Sequence, residues 1–344
     1  MEDTQAHENF MQRAINLALL GLGSVSPNPL VGCVIVHEEK IIAEGWHKKF
    51  GGPHAEVNAI EALADKSLLP VCIVYVNLEP CSHFGKTPPC ADMLIAHGVK
   101  RVVIANQDPN PVVAGKGIQK LRAAGVEVIE NILADEGKNL NRRFFTFIEK
   151  QRPYIMLKWA QTADGFIARE DYSSKWISNE QARQLVHKWR AEEDAVMVGT
   201  NTAQYDNPKL NLRHWQGRNP LRIVIDRNLR LNNSLHLFDK TQKTLCYNLL
   251  KNEKQENLEF VKLADESFLK NMLNDLYQKG IQSVMVEGGA YLINQFIEEG
   301  LWDEARVFEA DINFDKGIKA PELNVKPLHT EAVAEDALHY FINH

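Results

Sequence analysis

Three short stretches of this 344-residue chain carry side chains able to hold a metal and move protons: Pro53-His-Ala-Glu56, Glu79-Pro-Cys81 and Pro88-Pro-Cys90. One imidazole with two thiolates suits Zn²⁺. Three protein ligands, His54, Cys81 and Cys90, leave a fourth tetrahedral position for water, which marks a catalytic site rather than a structural one. Zinc lowers the pKa of bound water toward about 7 and so supplies a nucleophile at neutral pH. Glu56 can take the water proton and pass it to a ring nitrogen and a leaving amine. His-Ala-Glu alone is a common tripeptide, and two cysteines nine residues apart are only suggestive. Their order, with an apolar run at 71–76 feeding into Glu79-Pro-Cys81, makes them a set. His83, between the cysteines, is a rival ligand or a group facing substrate. A purely structural zinc site is the alternative, and it leaves Glu56 and the missing fourth ligand unexplained.

Helix ends must position these groups. Residues two apart diverge in mid-helix, so His54 and Glu56 can share a site only at a helix mouth. Pro53 and Pro89 are typical helix-start residues. The positive ends of both helices would then favour thiolates at the metal. The apolar pattern predicts a helix at 3–20 and a hairpin of strands 31–37 and 41–46. Helices at 54–64, 90–97 and 117–124 then alternate with strands at 71–76, 101–105 and 126–129, and a helix at 134–144 closes the half. Such alternation implies a sheet covered by helices, with sites at the strand ends.

The pattern restarts at Lys150-Gln-Arg-Pro153, so two domains are expected, 1–150 and 151–344. The second half predicts helices at 179–190, 266–279 and 290–299. Its strands fall at 154–159, 195–198, 221–225, 244–247, 283–286, 304–309 and 338–342. Acidic residues outnumber basic ones, 45 to 39, and the basic clusters are short. Phosphate neutralisation normally demands a basic stripe, so no nucleic-acid partner is expected. No apolar run approaches the roughly 20 residues that span a bilayer, and the acidic N-terminus lacks signal-peptide character. No membrane partner and a cytoplasmic location are therefore expected. Five cysteines, an odd number, argue against a disulfide framework. Cys33, Cys72 and Cys246 sit in apolar runs and read as small buried hydrophobes.

His-x-Glu followed by Pro-Cys resembles the zinc nucleoside-deaminase signature, although there only two residues separate the cysteines. Here eight do, and the loop Glu79-Pro-Cys-Ser-His-Phe-Gly-Lys-Thr-Pro-Pro-Cys90 resembles that of the bifunctional riboflavin-biosynthesis deaminase-reductase family. Pro27-Asn-Pro-Leu-Val-Gly-Cys33, Gly51-Gly-Pro-His-Ala-Glu56 and Gln107-Asp-Pro-Asn-Pro-Val-Val-Ala-Gly-Lys-Gly117 resemble it as well. The resemblance implies an N-terminal cytidine-deaminase-like three-layer α/β/α domain and a C-terminal dihydrofolate-reductase-like α/β domain. The first would hydrolyse the 2-amino group of a diaminopyrimidinone carrying a ribosylamino 5-phosphate; the second would reduce the opened ribose to ribityl with NADPH. It also implies that Asn28 contacts the pyrimidine, and that His83 and Lys86 contact the ring or the sugar phosphate. A homo-oligomer, dimer or tetramer, is expected. The competing reading is a zinc deaminase of another base or nucleoside with a non-reducing accessory domain; a third is a non-catalytic zinc-stabilised interaction module.

In the second half no Gly-x-Gly-x-x-Gly follows a strand, so a Rossmann site is not supported. Ser283-Val-Met-Val-Glu-Gly-Gly289 instead runs a strand into a diglycine and a helix, whose first amides could hold cofactor phosphate. Val196-Met-Val-Gly-Thr-Asn-Thr202 is a second such junction. Both resemble the family's reductase domain, as do Leu157-Lys-Trp-Ala160, Ser174-Lys-Trp-Ile-Ser178 and Asp206-Asn-Pro-Lys-Leu210. By matching position the resemblance implies NADPH contacts at Ala160, Trp176, Thr202, Asp206 and the turn Gly289, Ala290, Tyr291, Leu292, Ile293, Asn294 and Gln295. It implies substrate contacts at Ser174, Arg190, Leu210, Arg213 and Glu287, the two arginines suiting a phosphate through paired hydrogen bonds. Asn207 stands where the family usually has Asp, and Thr162-Ala163 where it has Ser-Leu. The stretch after Glu309 lacks the family's usual apolar Pro-Lys-Leu-Leu-Gly character.

Overall fold

A computed structural model describes residues 4–82, 88–111, 113–173 and 177–343. The chain divides into two compact units, Met1–Gln151 and Arg152–His344.

Unit 1 begins with α1 (Thr4–Ala18), then β1 (Gly32–His37) and β2 (Lys40–Trp46). Glu38 and Glu39, both at positive φ (47° and 60°), close that hairpin. Next come α2 (Ala55–Ala62), β3 (Ile73–Leu78), α3 (Cys90–Ala96), β4 (Arg101–Asn106), α4 (Lys116–Ala123) and β5 (Glu127–Ile129), then α5 (Ala134–Leu140) and α6 (Arg142–Lys150). The sheet order is β2-β1-β3-β4-β5. β1 is antiparallel to both β2 and β3, while β3, β4 and β5 run parallel. Side chains alternate across a strand, so Cys33, Ile35, Val74, Val76, Val102 and Ile104 pack on α2, α3 and α4. Val34, Val36, Tyr75 and Val103 pack on α1 and α5. Both faces are thus covered, and the parallel strands can be apolar throughout.

Two sequence expectations shift here. The strand expected from Val71 begins at Ile73, because 66–71 coils into a 3-10 turn containing Pro70. The single helix expected over 134–144 is two, broken at Asn141. Its side chain is committed to backbone, accepting from Leu30 N (2.8 Å) and donating to Leu30 O (2.9 Å).

Unit 2 contains β6 (Tyr154–Thr162), β7 (Phe166–Ala168), α7 (Glu180–Glu192), β8 (Ala195–Gly199), α8 (Thr200–Asp206), β9 (Leu221–Ile225), β10 (Thr244–Asn248), β11 (Glu253–Lys254) and β12 (Leu258–Lys262). α9 (Phe268–Gln278), β13 (Ser283–Glu287), α10 (Ala290–Glu298), β14 (Glu304–Ala310), β15 (Ile318–Lys319), β16 (His329–Val333) and β17 (Asp336–Ile342) follow. Ten strands form one sheet in the order β11-β12-β10-β9-β8-β13-β6-β14-β17-β16. β12 through β14 in that order are parallel, with antiparallel strands at both edges. β7 and β15 pair separately. The sequence pattern missed β7, β11, β12, β15, β16 and α8. β7, β11 and β15 are too short to show a period, and β16 is mostly exposed. Ile155, Leu157, Met197, Val284 and Val286 pack beneath α9 and α10. Met156, Val196, Val198 and Met285 pack on the other face against α7. Truncating any of these fully buried side chains to Ala costs about 2–5 kcal/mol.

Two of the departures from the family pattern have local reasons. Asn207 caps α8 at φ 41°, a left-handed conformation that Asn tolerates well, and its Oδ1 accepts from His236 N (2.8 Å). Thr162 keeps a working hydroxyl: it donates to Asp164 (2.5 Å) and accepts from Phe166 N (3.0 Å). Asp164 in turn accepts from Phe314 N (3.0 Å) and Asp315 N (2.7 Å), tying down the atypical stretch after Glu309.

Candidate active sites

In unit 1, His54 is the N-cap of α2 in extended backbone (φ −72°, ψ 166°), and Glu56 lies in the first turn. That change from extended to helical backbone lets residues two apart share a site. Cys90 opens α3 with Pro89 as its cap, and Cys81 follows the end of β3. The ligand atoms of His54, Cys81 and Cys90 all lie within 4.8 Å of one another. His54 Nδ1 is 3.6 Å from Cys81 Sγ and 3.3 Å from Cys90 Sγ. Tetrahedral zinc, with Zn–N near 2.0 Å and Zn–S near 2.3 Å, needs N···S separations of roughly 3.5 Å. The donor set therefore fits zinc in both chemistry and spacing. The Cys90 thiol, then His54 and the Cys90 amide (3.3 Å), stabilise Cys81 as thiolate and hold its pKa well below the ordinary thiol value.

Glu56 is buried. Burial, then the charge on Cys81, holds its carboxyl above the ordinary value, with His54 opposing. A carboxylate so placed accepts a proton readily. Asn28 Nδ2 lies 3.0 Å from His47 Nε2, and His47 Nδ1 lies 2.9 Å from Pro53 O. A carbonyl can only accept, so Nδ1 carries the proton and Nε2 accepts from Asn28. Burial lowers the His47 pKa, in keeping with a neutral ring. Sequence reasoning missed His47 because it lies outside every spaced motif.

Glu79 was quoted for its spacing alone, yet it organises the site. Its buried carboxylate accepts from four backbone amides: Asp108 (3.2 Å), Gly115 (2.9 Å), Gly117 (2.8 Å) and Ile118 (3.2 Å). A Cβ on Gly117 would stand 2.1 Å from Pro80 O, so only glycine fits beside the metal loop. His83 and Lys86 lie outside the described residues.

In unit 2 the C-terminal ends of β6, β8, β9 and β13 open on a cavity of about 810 Å³. Ala160, Arg190, Thr202, Asp206, Leu210 and Glu287 line it. From the start of α10 so do Gly289, Ala290, Tyr291, Leu292 and Gln295. Ile293 instead points into the core and is fully buried, because its face of α10 is the one that packs on the sheet. Asn294 and the exposed Arg213 do not line the cavity. Ser174 and Trp176 lie outside the described residues. Gly288 (φ 80°) and Gly289 (φ 52°) leave the first amides of α10 uncovered, and a Cβ on Gly288 would meet Thr202 at 2.7 Å.

The Arg190 guanidinium does not wait for an anion. Nε and Nη2 bond Glu287 (2.6 and 2.8 Å), and Nη1 bonds Asn211 O (3.3 Å). Burial works against ionisation of Glu287, but Arg190, by charge and hydrogen bonding, outweighs it and holds the pKa below the usual carboxylate range. Lys158, half-buried in the same cavity, was quoted in sequence only as part of a matching stretch. A lysine interrupting an apolar strand was the available sign. Burial lowers its pKa, with Glu287 and Asp206 opposing. Arg227 and Arg230, just beyond β9, also line the cavity and were missed. Among the described residues no helix is long and apolar enough to cross a membrane.

Comparison with known proteins agrees with both halves. Residues 4–106 match the family described as cytidine and deoxycytidylate deaminase zinc-binding region, and residues 153–313 match the RibD C-terminal domain. The riboflavin biosynthesis protein RibD of Aquifex aeolicus is 41% identical over 93% of this chain and 91% of its own length. That of Actinobacillus pleuropneumoniae is 43% identical over 89% and 84%. A crystal structure of the Thermotoga maritima diaminohydroxyphosphoribosylaminopyrimidine deaminase/5-amino-6-(5-phosphoribosylamino)uracil reductase superposes with a TM-score of 0.91, at 39% identity and 99% coverage of both chains. Acinetobacter baumannii RibD gives 0.90 at 35% identity, again over 99% of each chain. The expected fold classes, a cytidine-deaminase-like first half and a dihydrofolate-reductase-like second half, hold. The chain belongs to the RibD family of riboflavin biosynthesis, bifunctional enzymes in which a zinc-type deaminase precedes a reductase.

Proposed function

We propose that unit 1 deaminates 2,5-diamino-6-ribosylamino-4(3H)-pyrimidinone 5′-phosphate at a zinc site held by His54, Cys81 and Cys90, and that unit 2 reduces the product's ribosyl chain with NADPH. The clustering of those three ligand atoms beside buried Glu56 carries the reading. Bound zinc would supply Lewis acidity that activates water for attack on the carbon bearing the amine. Glu56 carries the water proton to the ring nitrogen, and then carries a second proton, from the hydroxyl now on that carbon, to the amine as its C–N bond breaks and ammonia departs. Asn28, its amide held by neutral His47, orients the pyrimidine. His83 and Lys86 belong to the same substrate reading.

For reduction, the amides at Gly289 and Ala290 receive the cofactor's phosphates. Arg227, which also bonds Asp265 (2.6 Å), and Arg230 line the cavity and offer cations there, which supports NADPH over NADH. Hydride transfer needs no protein nucleophile, only positioning and electrostatics. The sugar carbon takes the hydride and its attached nitrogen takes a proton. Lys158 Nζ, in the cavity and eased toward deprotonation by burial, is placed to give that proton. The reading also puts the enzyme in the cytoplasm, where the zinc-loop thiols stay reduced.

The test supplies the phosphorylated diaminopyrimidinone with and without NADPH. Ammonia should be released in both cases, and NADPH oxidised only after deamination. Deamination without subsequent oxidation would restrict the enzyme to its first half. Arg227→Ala should raise KM for NADPH about tenfold or more, the worth of a lost charge-assisted hydrogen bond, and leave the KM for NADH unchanged. An equal change for both cofactors would remove the specificity claim.

A further inference from the structure

β7 and β15 stand apart from the ten-stranded sheet as a two-stranded ribbon, yet their residues Ile167, Ala168 and Ile318 line the unit 2 cavity. The root of the ribbon is well anchored. Ala163 N donates to Ile312 O (3.0 Å) and Ala320 N to Gly165 O (2.9 Å), beside the bonds from Phe314 and Asp315 to Asp164. The Arg169 guanidinium lies over the Phe314 ring, 4.1 Å from its centroid. Past Arg169 the chain folds back on itself. Tyr172 N donates to Arg169 O (3.0 Å) and Arg169 N to Ser173 O (3.0 Å), while Asp171 Oδ1 accepts from Ser173 N (2.9 Å) and Oγ (2.6 Å). All of these bonds close within the ribbon and its flanks.

An aromatic stack crosses from there to the body of the unit. The Tyr172 ring lies against that of Tyr205 on α8, 4.5 Å between centroids and 7° from parallel. α8 follows directly on β8, so Tyr205 belongs to the ten-stranded sheet's side of the cavity, and both rings line it. Each ring is also open to solvent, the residues being 38% and 51% exposed. Tyr172 sits at φ 66°, an outlier for a bulky side chain. Strain of this kind persists where the surroundings hold it, and it gathers at ligand clamps and switch segments. A stacked aromatic pair shifts an equilibrium by about 2- to 13-fold. That is enough to favour a closed position and too little to forbid opening in each turnover.

We propose that the Tyr172–Tyr205 stack is a latch that holds the β7–β15 ribbon across the mouth of the reductase cavity, and that the stack must part each time the nicotinamide cofactor enters or leaves. The inference rests on the reading of this cavity as the cofactor site. Closing segments of this kind exclude water during chemistry, and their opening often sets the rate of release. Tyr172 and Tyr205 are positioning residues here: they act on each other and, through the ribbon, on access to the cavity. Because one stack is broken on the way in and on the way out, its removal speeds both directions by the same factor and leaves the equilibrium affinity where it was.

The experiment follows NADPH fluorescence in a stopped flow, mixing the cofactor with the full chain for association and chasing it with excess NADP⁺ for dissociation. Tyr172→Ala and Tyr205→Ala should each raise both rate constants by about 2- to 13-fold, the worth of the stack. Kd for NADPH should stay within about twofold, the scatter expected when no contact to the ligand is lost. The double variant should be no faster than either single one, since the two residues share one interaction. Tyr172→Phe keeps the stack and should keep the original rates. Ammonia release by unit 1 should not change in any of them. A rise in dissociation matched by an equal rise in Kd, with association unchanged, would overturn the latch by making the tyrosines direct cofactor contacts. Additive effects in the double variant, or a Tyr172→Phe as fast as Tyr172→Ala, would overturn it as well. Either single variant suffices should the other not fold. NADPH binding with unaltered kinetics in both sinks the latch alone, whereas failure of the unmodified chain to bind NADPH sinks the cofactor reading and the latch with it.

Discussion

The two sites are built on opposite plans. In unit 1 three donor atoms from separate segments converge within 4.8 Å. In unit 2 about 810 Å³ of cavity is walled by the ends of four parallel strands, and its central charges, Arg190 and Glu287, neutralise each other. The first concentrates reactivity in a handful of atoms. The second spreads binding over a wide surface and leaves the hard chemistry to a cofactor. Substitutions should accordingly act all-or-none in one site and by degrees in the other.

Glu56→Gln tests the first half of that contrast and carries the largest expected effect. Ammonia release should fall about 10²–10⁴-fold, the range for a lost general base. NADPH oxidation on substrate already deaminated should proceed at the original rate. Residual deamination within a few-fold of normal would break the comparison, because the proton traffic would then run elsewhere.

Glu287→Gln comes next. It strands Arg190 with an uncompensated buried charge and should cost unit 2 about 3–5 kcal/mol, read as a lowered Tm. The pH dependence follows from the sign of the shift. Glu287 has a folded pKa below its unfolded value, so the pair's stabilisation is complete above the unfolded value of about 4.3 and is lost as pH falls through the lower, folded one. Melting of the unmodified chain should therefore weaken on acidification in that window, and the variant should lose part of that dependence. An identical acid profile in both would detach the ion pair from stability.

Gly288→Ala sharpens the graded half. Strain at φ 80° and the approach to Thr202 should cost about 1–3 kcal/mol. Most of that should appear as weaker NADPH binding, since the residue frames the start of α10. A loss confined to kcat would argue against that turn as a phosphate cradle.

Legibility in sequence follows the same contrast. His54, Glu56, Cys81 and Cys90 were readable because metal chemistry fixes residue type and short spacing together. The helix-mouth argument was physical and needed no relative. His47 was not readable, because the partner that gives it a role, Asn28, lies in a separate stretch of sequence. In unit 2, nothing local showed that Arg190 is paired with Glu287, so that pairing was not readable. Ile293 and Asn294 entered as part of a continuous turn, whereas a helix can present only one side to a cavity. Alternation located most parallel strands, while two-residue pairings and the exposed β16 left no periodic trace.

The Glu79 clamp has a consequence for how the enzyme acquires its metal. One carboxylate gathers four amides from 108–118 immediately before Pro80 and Cys81, so the approach to the metal loop is fixed by bonds that need no ion. Loading should then be a docking event rather than a coupled folding reaction. Uptake would follow a single phase first order in metal, and a chelator would yield an inactive but folded chain, ready for reuse.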